Sequence, residues 1–268
     1  MLIQETHADV QVTANGKEST MLTGPVARFA RQIAGHGYIV AAPSSYHEFT
    51  GPEPLKYDVA DTDRGNQYKF EKVFLPAITL ESYDADSYAT VDYLLSLPTC
   101  TGLIGATGMC LGGHLALRAT LDPRITACVS YFATDVHSRT LGPHPSGPNT
   151  SAESPSPDSN HTLDLLPRLR QGGGGSEVAM IFGIKDTHVP DAGRDLIRAK
   201  LRAAGATFSF HEFAHAQHAF IRDELSKGRY DPAVTKVCFE VLLELFNRAL
   251  KTDLGPRDGA VAEPEHIC

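Results

Sequence analysis

The residue most suited to chemistry is Cys110, which lies in the glycine-rich segment GMCLGG at 108–113. An apolar run precedes this segment and a helical pattern follows it, which predicts a strand-turn-helix corner that presents a nucleophile. Glycines at 108 and 112 leave space around a strained central residue. A helix that begins at Leu111 would direct free N–H groups and its positive dipole end at the sulfur, which favours the thiolate.

A cysteine nucleophile needs a base, and the base needs an acid that orients it. Asp186 follows the apolar run EVAMIFGI, and His218 follows the alternating run TFSFHEF. The chain order nucleophile, carboxylate, histidine, each after a strand, is typical of hydrolases built on a parallel sheet. Asp186 alone is equally typical of a turn or a helix cap, and His211 and His215 compete with His218 for the role of base.

A rival function comes from HEFAH at 211–215, which matches the H-E-x-x-H pattern of zinc peptidases. That pattern binds zinc only on a helix, where positions i and i+4 share a face. The preceding residues alternate as in a strand, on which His211 and His215 would lie about 13 Å apart. The sequence therefore disfavours a zinc peptidase, and it predicts chemistry that requires neither a metal nor a cofactor.

The elements that must position these residues form an α/β pattern, in which short apolar runs alternate with helical patterns. This pattern predicts a mostly parallel central sheet flanked by helices. Strands are expected at 38–43, 101–108, 125–133, 177–184 and 207–213. Helices are expected over about 82–96, from 111 onward, and over about 192–203 and 232–250, and a polar loop is expected over about 47–70.

The composition along the chain predicts a single domain over 1–254. Within it, a stretch rich in Pro, Ser and Asn and the run QGGGGSE predict a flexible insertion and Gly-rich link over 141–176. The residues from 255 to 268 are expected to form a disordered tail.

The overall composition excludes several classes of partner. Among 268 residues, 42% are hydrophobic and 21% are charged, as in ordinary globular proteins. The net charge of −8 disfavours nucleic acid and anionic membranes as partners. The start of the chain lacks a basic segment followed by an apolar one, so we expect a cytoplasmic protein. Five cysteines, an odd number, predict reduced thiols.

The sequence resembles the dienelactone hydrolase family, the carboxymethylenebutenolidases, which are α/β-hydrolases with a Cys-His-Asp triad. The resemblance extends from about Thr23 to Leu250, and its carriers are GHGYIVAAPSSY, GATGMCLGGHLAL, IFGIKDTHVP and HAFIRD. It implies the α/β-hydrolase fold, with Cys110 as nucleophile, His218 as base and Asp186 as the acid that orients His218. It also implies that the backbone N–H of Leu111 is one oxyanion donor.

The resemblance implies roles for four further residues. Glu18 corresponds to a family glutamate that contacts the resting thiol, and the backbone N–H of Ser19 would complete the oxyanion hole. Arg222 matches an arginine that holds the substrate carboxylate, and Arg64 would be a second such contact. An arginine suits this task because it can donate two parallel hydrogen bonds to a carboxylate, although Arg222 is equally typical of a solvated surface residue.

The amino terminus departs from the family pattern. The polar run VQVTANGK stands where the family has an apolar strand, so we expect the amino-terminal strands to be shortened. Glu48 is an alternative acid, although a loop carboxylate is more often simply solvated. Because losing one oxyanion donor costs about a hundredfold in turnover, a weakly active or non-catalytic protein of this fold is the alternative function.

The main functional prediction is hydrolysis of a small lactone or enol ester through an acyl-thioester intermediate. The expected partner is therefore the small-molecule substrate itself. The chain is expected to be a monomer or a homodimer.

Overall fold

A computed structural model describes residues 10–12, 17–19, 24–51, 59–74, 80–142, 159–170, 175–222 and 228–251. The chain divides into two compact units. The first comprises Met1–Gly102, Arg139–His161 and Arg222–Lys227, and the second comprises Leu103–Ser138, Thr162–Ile221 and Gly228–Cys268.

Some predicted features fall on residues that the structure does not describe. These are the tail at 255–268 and, within the predicted insertion and link, the residues 143–158 and 171–174. The single domain over 1–254 stays a prediction.

The first unit begins with two short strands and continues with helices. Strands β1 (Val10–Val12) and β2 (Lys17–Ser19) pair antiparallel. The expected shortening of the amino-terminal strands stays a prediction, because the residues that flank these two strands lie outside the described part of the chain. The helices of this unit are α1 (Gly24–Ala34), α2 (His47–Thr50), α3 (Val59–Phe74) and α4 (Glu81–Ser96).

Two expectations for the first unit are wrong. Residues 38–43 form no strand, because within the described part of the chain no neighbouring strand pairs with them. The expected polar loop at 47–70 contains α2 and most of α3. The sequence of α3 has no continuous apolar stripe, and one of the side chains that it buries most completely is a lysine, Lys72, so the usual helical pattern is hidden.

The second unit is built on a four-stranded parallel sheet in the order β3, β4, β5, β6. Its strands are β3 (Ile104–Met109), β4 (Ile125–Tyr131), β5 (Glu177–Gly183) and β6 (Thr207–Phe213). Its helices are α5 (Leu111–Ala119), α6 (Thr162–Leu165), α7 (Asp191–Ala203) and α8 (Pro232–Phe246). A 3-10 turn at Leu166–Arg170 follows α6, and a π-helical turn at Asn247–Lys251 follows α8. The parallel sheet with flanking helices confirms the predicted fold class.

The core of the second unit surrounds its two central strands. Strands β4 and β5 are buried on both faces, as continuous apolar runs in a parallel sheet require. Helix α5 contacts β3 and β4, and α8 contacts β4 and β5. Leu163 and Leu166 are fully buried as well, so this part of the expected flexible insertion is an ordered element of the unit.

The sheet places the candidate residues at one edge. Because all four strands are parallel, the residues that follow their carboxyl ends lie on the same side of the sheet. Cys110 follows β3, Thr134 lies in the loop after β4, Asp186 follows β5 and His218 lies in the turn after β6.

Candidate active site

The backbone at Cys110 forms the sharp corner that the sequence predicts. Its φ of 59° and ψ of −121° are unusual for a residue with a side chain. The Cys110 N–H donates to the Tyr131 carbonyl at 3.0 Å, and the Cys110 carbonyl accepts from the N–H groups of His114 and Thr134 at 3.1 and 3.3 Å. These three hydrogen bonds hold the strained residue between β4 and the start of α5.

Two glycines, Gly108 and Gly113, make this corner sterically possible, whereas the sequence predicted Gly108 and Gly112. A Cβ at Gly108 would lie 2.2 Å from the Gly112 carbonyl oxygen, and a Cβ at Gly113 would lie 2.5 Å from the Tyr131 carbonyl oxygen. A Cβ at Gly112 would meet nothing within 4 Å. Gly108 and Gly113 are therefore required for close packing, whereas Gly112 is not required on these grounds.

The side chain of His218 is held by Asp186. His218 Nδ1 lies 2.8 Å from Asp186 Oδ2, and both side chains are buried. The other carboxylate oxygen, Oδ1, accepts hydrogen bonds from the N–H groups of His188 and Val189 at 2.8 and 3.3 Å. Because an ionised carboxylate only accepts hydrogen bonds, His218 donates from Nδ1, and Nε2 is then the nitrogen that can accept a proton.

Aromatic packing fixes the plane of the His218 ring. The Phe132 ring meets it edge-on with centroids 5.0 Å apart, and the His188 ring lies against it at 4.3 Å. Close backbone contact also joins the loops that carry Asp186 and His218. A Cβ at Gly183 would lie 2.2 Å from the Ala216 carbonyl oxygen, and that oxygen accepts a hydrogen bond from the Lys185 N–H at 3.0 Å.

The surroundings of Cys110 and His218 adjust their pKa values in opposite directions. Burial raises the pKa of the Cys110 thiol, but the hydrogen bond and positive charge of His218, with the Leu111 N–H, outweigh it and lower the pKa below its usual 9.0. Burial lowers the pKa of His218, yet hydrogen bonds to Asp186 and Cys110 raise it from 6.5 to about 9. The two groups therefore favour a thiolate and imidazolium pair.

The other described cysteines have different surroundings. Cys100 is half-buried, and Cys128 and Cys238 are fully buried; all three are free thiols, as is Cys110. Burial raises the pKa of the Cys128 thiol, and it raises that of Cys238 to about 12. These two cysteines are unreactive core residues in the folded protein.

The remaining predicted site residues belong to the first unit. Glu18 and Ser19 lie in β2, where Glu18 pairs with Gln11 of β1. Arg64 is an exposed residue of α3, and Arg222 is half-buried. The roles of these four residues stay predictions.

The zinc interpretation of HEFAH is wrong on structural grounds. His211 lies in strand β6, and His215 lies in the turn that follows it. The two imidazoles therefore lack the shared helical face that the motif needs to bind zinc.

One group among the described residues does have ligand atoms close enough for a metal. These atoms, from His47, Glu48 and Asp86, all lie within 4.8 Å of one another. The ammonium of Lys72 already contacts both carboxylates, at 2.9 Å from Asp86 Oδ2, and its side chain is fully buried. The lysine supplies the positive charge that a metal would bring, so this group, called the ionic cluster below, does not fit a metal site. Glu48 is thus a buried ion-pair partner and not a solvated loop acid.

The sequence analysis missed the loop after β4. Thr134 Oγ1 lies 3.9 Å from Cys110 Sγ, and Asp135 follows directly. The signal that could have found them is topological, because residues after the carboxyl end of a parallel strand line the same edge as Cys110. His188 is found by the same rule, since it follows β5 two residues after Asp186.

Comparison with known proteins agrees with this geometry. The family model described as "Dienelactone hydrolase family" matches residues 22–250. The chain belongs to the dienelactone hydrolase family. A Saccharomyces cerevisiae protein that carries the carboxymethylenebutenolidase name is 49% identical over 94% of this chain and 85% of its own length. A Salmonella typhimurium protein with the same name is 26% identical over 81% of this chain and 69% of its own length.

Solved structures support the fold of this dienelactone hydrolase family member. A Klebsiella pneumoniae structure described as a dienelactone hydrolase superposes with a TM-score of 0.63 at 18% identity, covering 91% of this chain and 98% of the other. The chain therefore has the α/β-hydrolase fold, and its membership of the dienelactone hydrolase family makes it a hydrolase. Within the described residues, no helix is both long and apolar enough to cross a membrane. The cytoplasmic location and the monomeric or dimeric state stay predictions.

Proposed function

We propose that this enzyme hydrolyses a small lactone or enol ester, with Cys110 as the nucleophile, His218 as the base and Asp186 as the residue that orients His218. The observation that carries the proposal is the hydrogen bond between Asp186 Oδ2 and His218 Nδ1, together with the electrostatic interaction of His218 with the Cys110 sulfur at the start of α5. A thiolate and imidazolium pair at a strained corner is suited to attack on an ester carbonyl.

In the first step, the Cys110 thiolate attacks the carbonyl carbon of the substrate. The tetrahedral oxyanion accepts a hydrogen bond from the Leu111 N–H, with the Ser19 N–H as the second proposed donor. The carbon–oxygen bond of the ester then breaks, and the leaving oxygen takes the proton from His218 Nε2. The product is an acyl-thioester at Cys110, and a lactone would remain attached through its opened chain.

In the second step, water hydrolyses the thioester. His218, now neutral, takes a proton from the water, and the resulting hydroxide attacks the thioester carbonyl. The carbon–sulfur bond breaks, the thiolate is regenerated and the acid is released. Asp186 keeps the Nδ1 proton of His218 in place, so that Nε2 is the atom that accepts protons throughout.

The substrate proposal includes a carboxylate, which Arg222 and Arg64 would bind by two-pronged hydrogen bonds. This part is tested with a matched pair of lactones, one with a free carboxylate and one with that group as a methyl ester. We expect Arg222→Met to remove the preference for the free carboxylate. An equal kcat/KM for both lactones in the wild type would contradict the carboxylate proposal.

The main experiment measures the release of p-nitrophenol from p-nitrophenyl acetate. We expect Cys110→Ala and treatment with iodoacetamide each to lower turnover at least about a thousandfold, while EDTA leaves it unchanged. Cys100→Ala is the matched control, because this half-buried thiol lies outside the site, and its rate should stay within about twofold of the wild type. Circular dichroism checks that each variant folds.

The opposite results would be equally informative. Unchanged turnover in Cys110→Ala would remove Cys110 from the mechanism. A folded wild type with no turnover of any ester would favour the non-catalytic alternative.

A further inference from the structure

Thr134 is fixed beside the nucleophile from two sides. Its N–H donates to the Cys110 carbonyl at 3.3 Å, and its own carbonyl accepts from His114 Nδ1 at 2.9 Å. His114 is buried, and its Nε2 lies 2.7 Å from the hydroxyl oxygen of Thr162 in α6. The Thr134 hydroxyl, 3.9 Å from Cys110 Sγ, is therefore held in place by backbone contacts that do not depend on its side chain.

The hydrogen of the Thr134 hydroxyl is directed away from the sulfur. Oγ1 donates to Asp135 Oδ2 at 3.0 Å. A hydroxyl has only one hydrogen, and a carboxylate at 3.0 Å is a much stronger acceptor than a sulfur at 3.9 Å. Oγ1 thus presents a lone pair to Cys110 Sγ, which can accept the S–H of a thiol but has no proton to give to a thiolate.

We propose that Thr134 and Asp135 form a hydrogen-bond chain that stabilises the neutral thiol of Cys110, so that the charge of Asp135 sets the thiol–thiolate balance of the nucleophile. This inference rests on the proposed function, in which Cys110 is the nucleophile. Thr134 and Asp135 are positioning residues in it, because they act on the reaction through the sulfur.

The other groups that face Cys110 act in the opposite direction. His218 and the Leu111 N–H favour the thiolate. If the Thr134 hydroxyl donated to the sulfur, it too would lower the pKa of Cys110. Its single hydrogen instead bonds to Asp135 Oδ2 at 3.0 Å. The hydrogen-bond chain of Thr134 and Asp135 therefore opposes the effect of His218 on the Cys110 thiol. It limits the fraction of thiolate exposed to oxidation between turnovers.

Two imidazoles interact with the Asp135 carboxylate and add little positive charge there near neutral pH. His137 and His188 both interact electrostatically with this carboxylate, and burial lowers the pKa of each imidazole below its usual value. Both imidazoles are consequently neutral at pH 7. Asp135 also has a φ of 63°, a conformation that aspartate and asparagine adopt more readily than most residues, so Asp135→Asn is a mild substitution for the backbone.

The test is the pH profile of Cys110 alkylation by iodoacetamide, followed on the Cys110 peptide by mass spectrometry over about pH 5 to 10. We expect Asp135→Asn to move the midpoint down by about one pH unit, because a negative charge close to the sulfur is removed. Thr134→Val, which removes the acceptor of the S–H, should lower it by about half a unit, and Thr134→Ser should restore the wild-type midpoint.

Two matched controls separate this effect from general damage. Thr126→Val removes a hydroxyl that bonds to the Ile104 carbonyl at 3.2 Å, at the other end of the sheet. Asp195→Asn removes an exposed carboxylate of α7. Both controls should leave the Cys110 midpoint unchanged.

The results can test the Thr134–Asp135 hydrogen-bond chain independently of the proposed function. An upward shift in Thr134→Val would show that the hydroxyl donates to the sulfur, and an unmoved midpoint in Asp135→Asn would show that the charge has no effect; either result overturns the inference. Ester hydrolysis is measured on the same samples. If the predicted shifts occur but no ester is hydrolysed, the hydrogen-bond chain is supported and the proposed function is contradicted. If esters are hydrolysed but the shifts do not occur, the proposed function is supported and the hydrogen-bond chain is contradicted.

Discussion

Within the described parts of the chain, two buried histidine–aspartate pairs are joined by hydrogen bonds, and one of them lies in the candidate site. His218 and Asp186 are 2.8 Å apart beside Cys110, and His47 and Asp86 are 3.1 Å apart in the ionic cluster. The difference is the third partner. In the second unit it is a thiol, and in the first unit it is the ammonium of Lys72.

This third partner decides what each pair can do. In the ionic cluster, the Lys72 ammonium contacts the carboxylates of both Glu48 and Asp86, so the acidic groups share a cationic partner within the fold. At the Cys110 corner, the His218 imidazole bears the positive charge beside the Asp186 carboxylate, and the third group is a sulfur that can lose its proton and form a bond. A buried His–Asp pair is therefore not a sign of catalysis until its third group is known.

The first prediction tests the His218–Asp186 pair with Asp186→Asn. The substitution leaves the size of the side chain unchanged, but its amide can present an N–H to His218 and stabilise the wrong tautomer. We expect turnover of p-nitrophenyl acetate to fall on the order of a thousandfold or more. A loss of less than tenfold would mean that Asp186 only packs against His218.

The second prediction tests the His47–Asp86 pair of the ionic cluster with the same kind of substitution, Asp86→Asn. It leaves a buried ion-pair network incomplete, so the free energy of unfolding should fall by about 3 kcal/mol. The matched control is Asp195→Asn, whose carboxylate forms an exposed pair with Arg198 and should cost about 0.5 kcal/mol. Urea denaturation measures both values, and equal losses for the two variants would contradict the role given to burial.

The third prediction concerns the proposed catalytic pair, Cys110 and His218, and uses His218→Gln to measure how far the imidazole lowers the thiol pKa. A positive charge that faces the sulfur lets the thiolate persist down to a lower pH, and His218 carries that charge below about pH 9. Replacing it by glutamine should therefore raise the midpoint of Cys110 alkylation by about one to three pH units, toward or beyond the usual thiol value. A midpoint that stays in place in His218→Gln would show that the Leu111 N–H alone lowers the pKa of Cys110.

The sequence predicts the second unit well because its elements have simple patterns. Strands β4 and β5 are continuous apolar runs, and β6 alternates, so each is recognisable without its neighbours. Cys110, Asp186 and His218 follow three of these strands. Once the strands are parallel, their meeting at one edge of the sheet follows from topology.

The first unit could not be predicted to the same extent. The ionic cluster joins residues from α2, α3 and α4, and nothing in a polar sequence indicates that Lys72 is buried. The run at 38–43 has the composition of a strand, but composition does not supply the neighbour that a strand must bond to. Thr134 was missed for a related reason, since its importance lies in a distance to sulfur and not in its own sequence context.

The order of the proposed triad along the chain has a consequence for the protein during its synthesis. Cys110 is made 108 residues before His218, which at ribosomal rates corresponds to about 5 to 20 s. Until β6 docks beside β5, the imidazole that lowers the thiol pKa is absent, so the nascent sulfur remains largely protonated. The sulfur thus acquires its lowered pKa only when the last of the four described strands, β6, and the turn that carries His218 are in place.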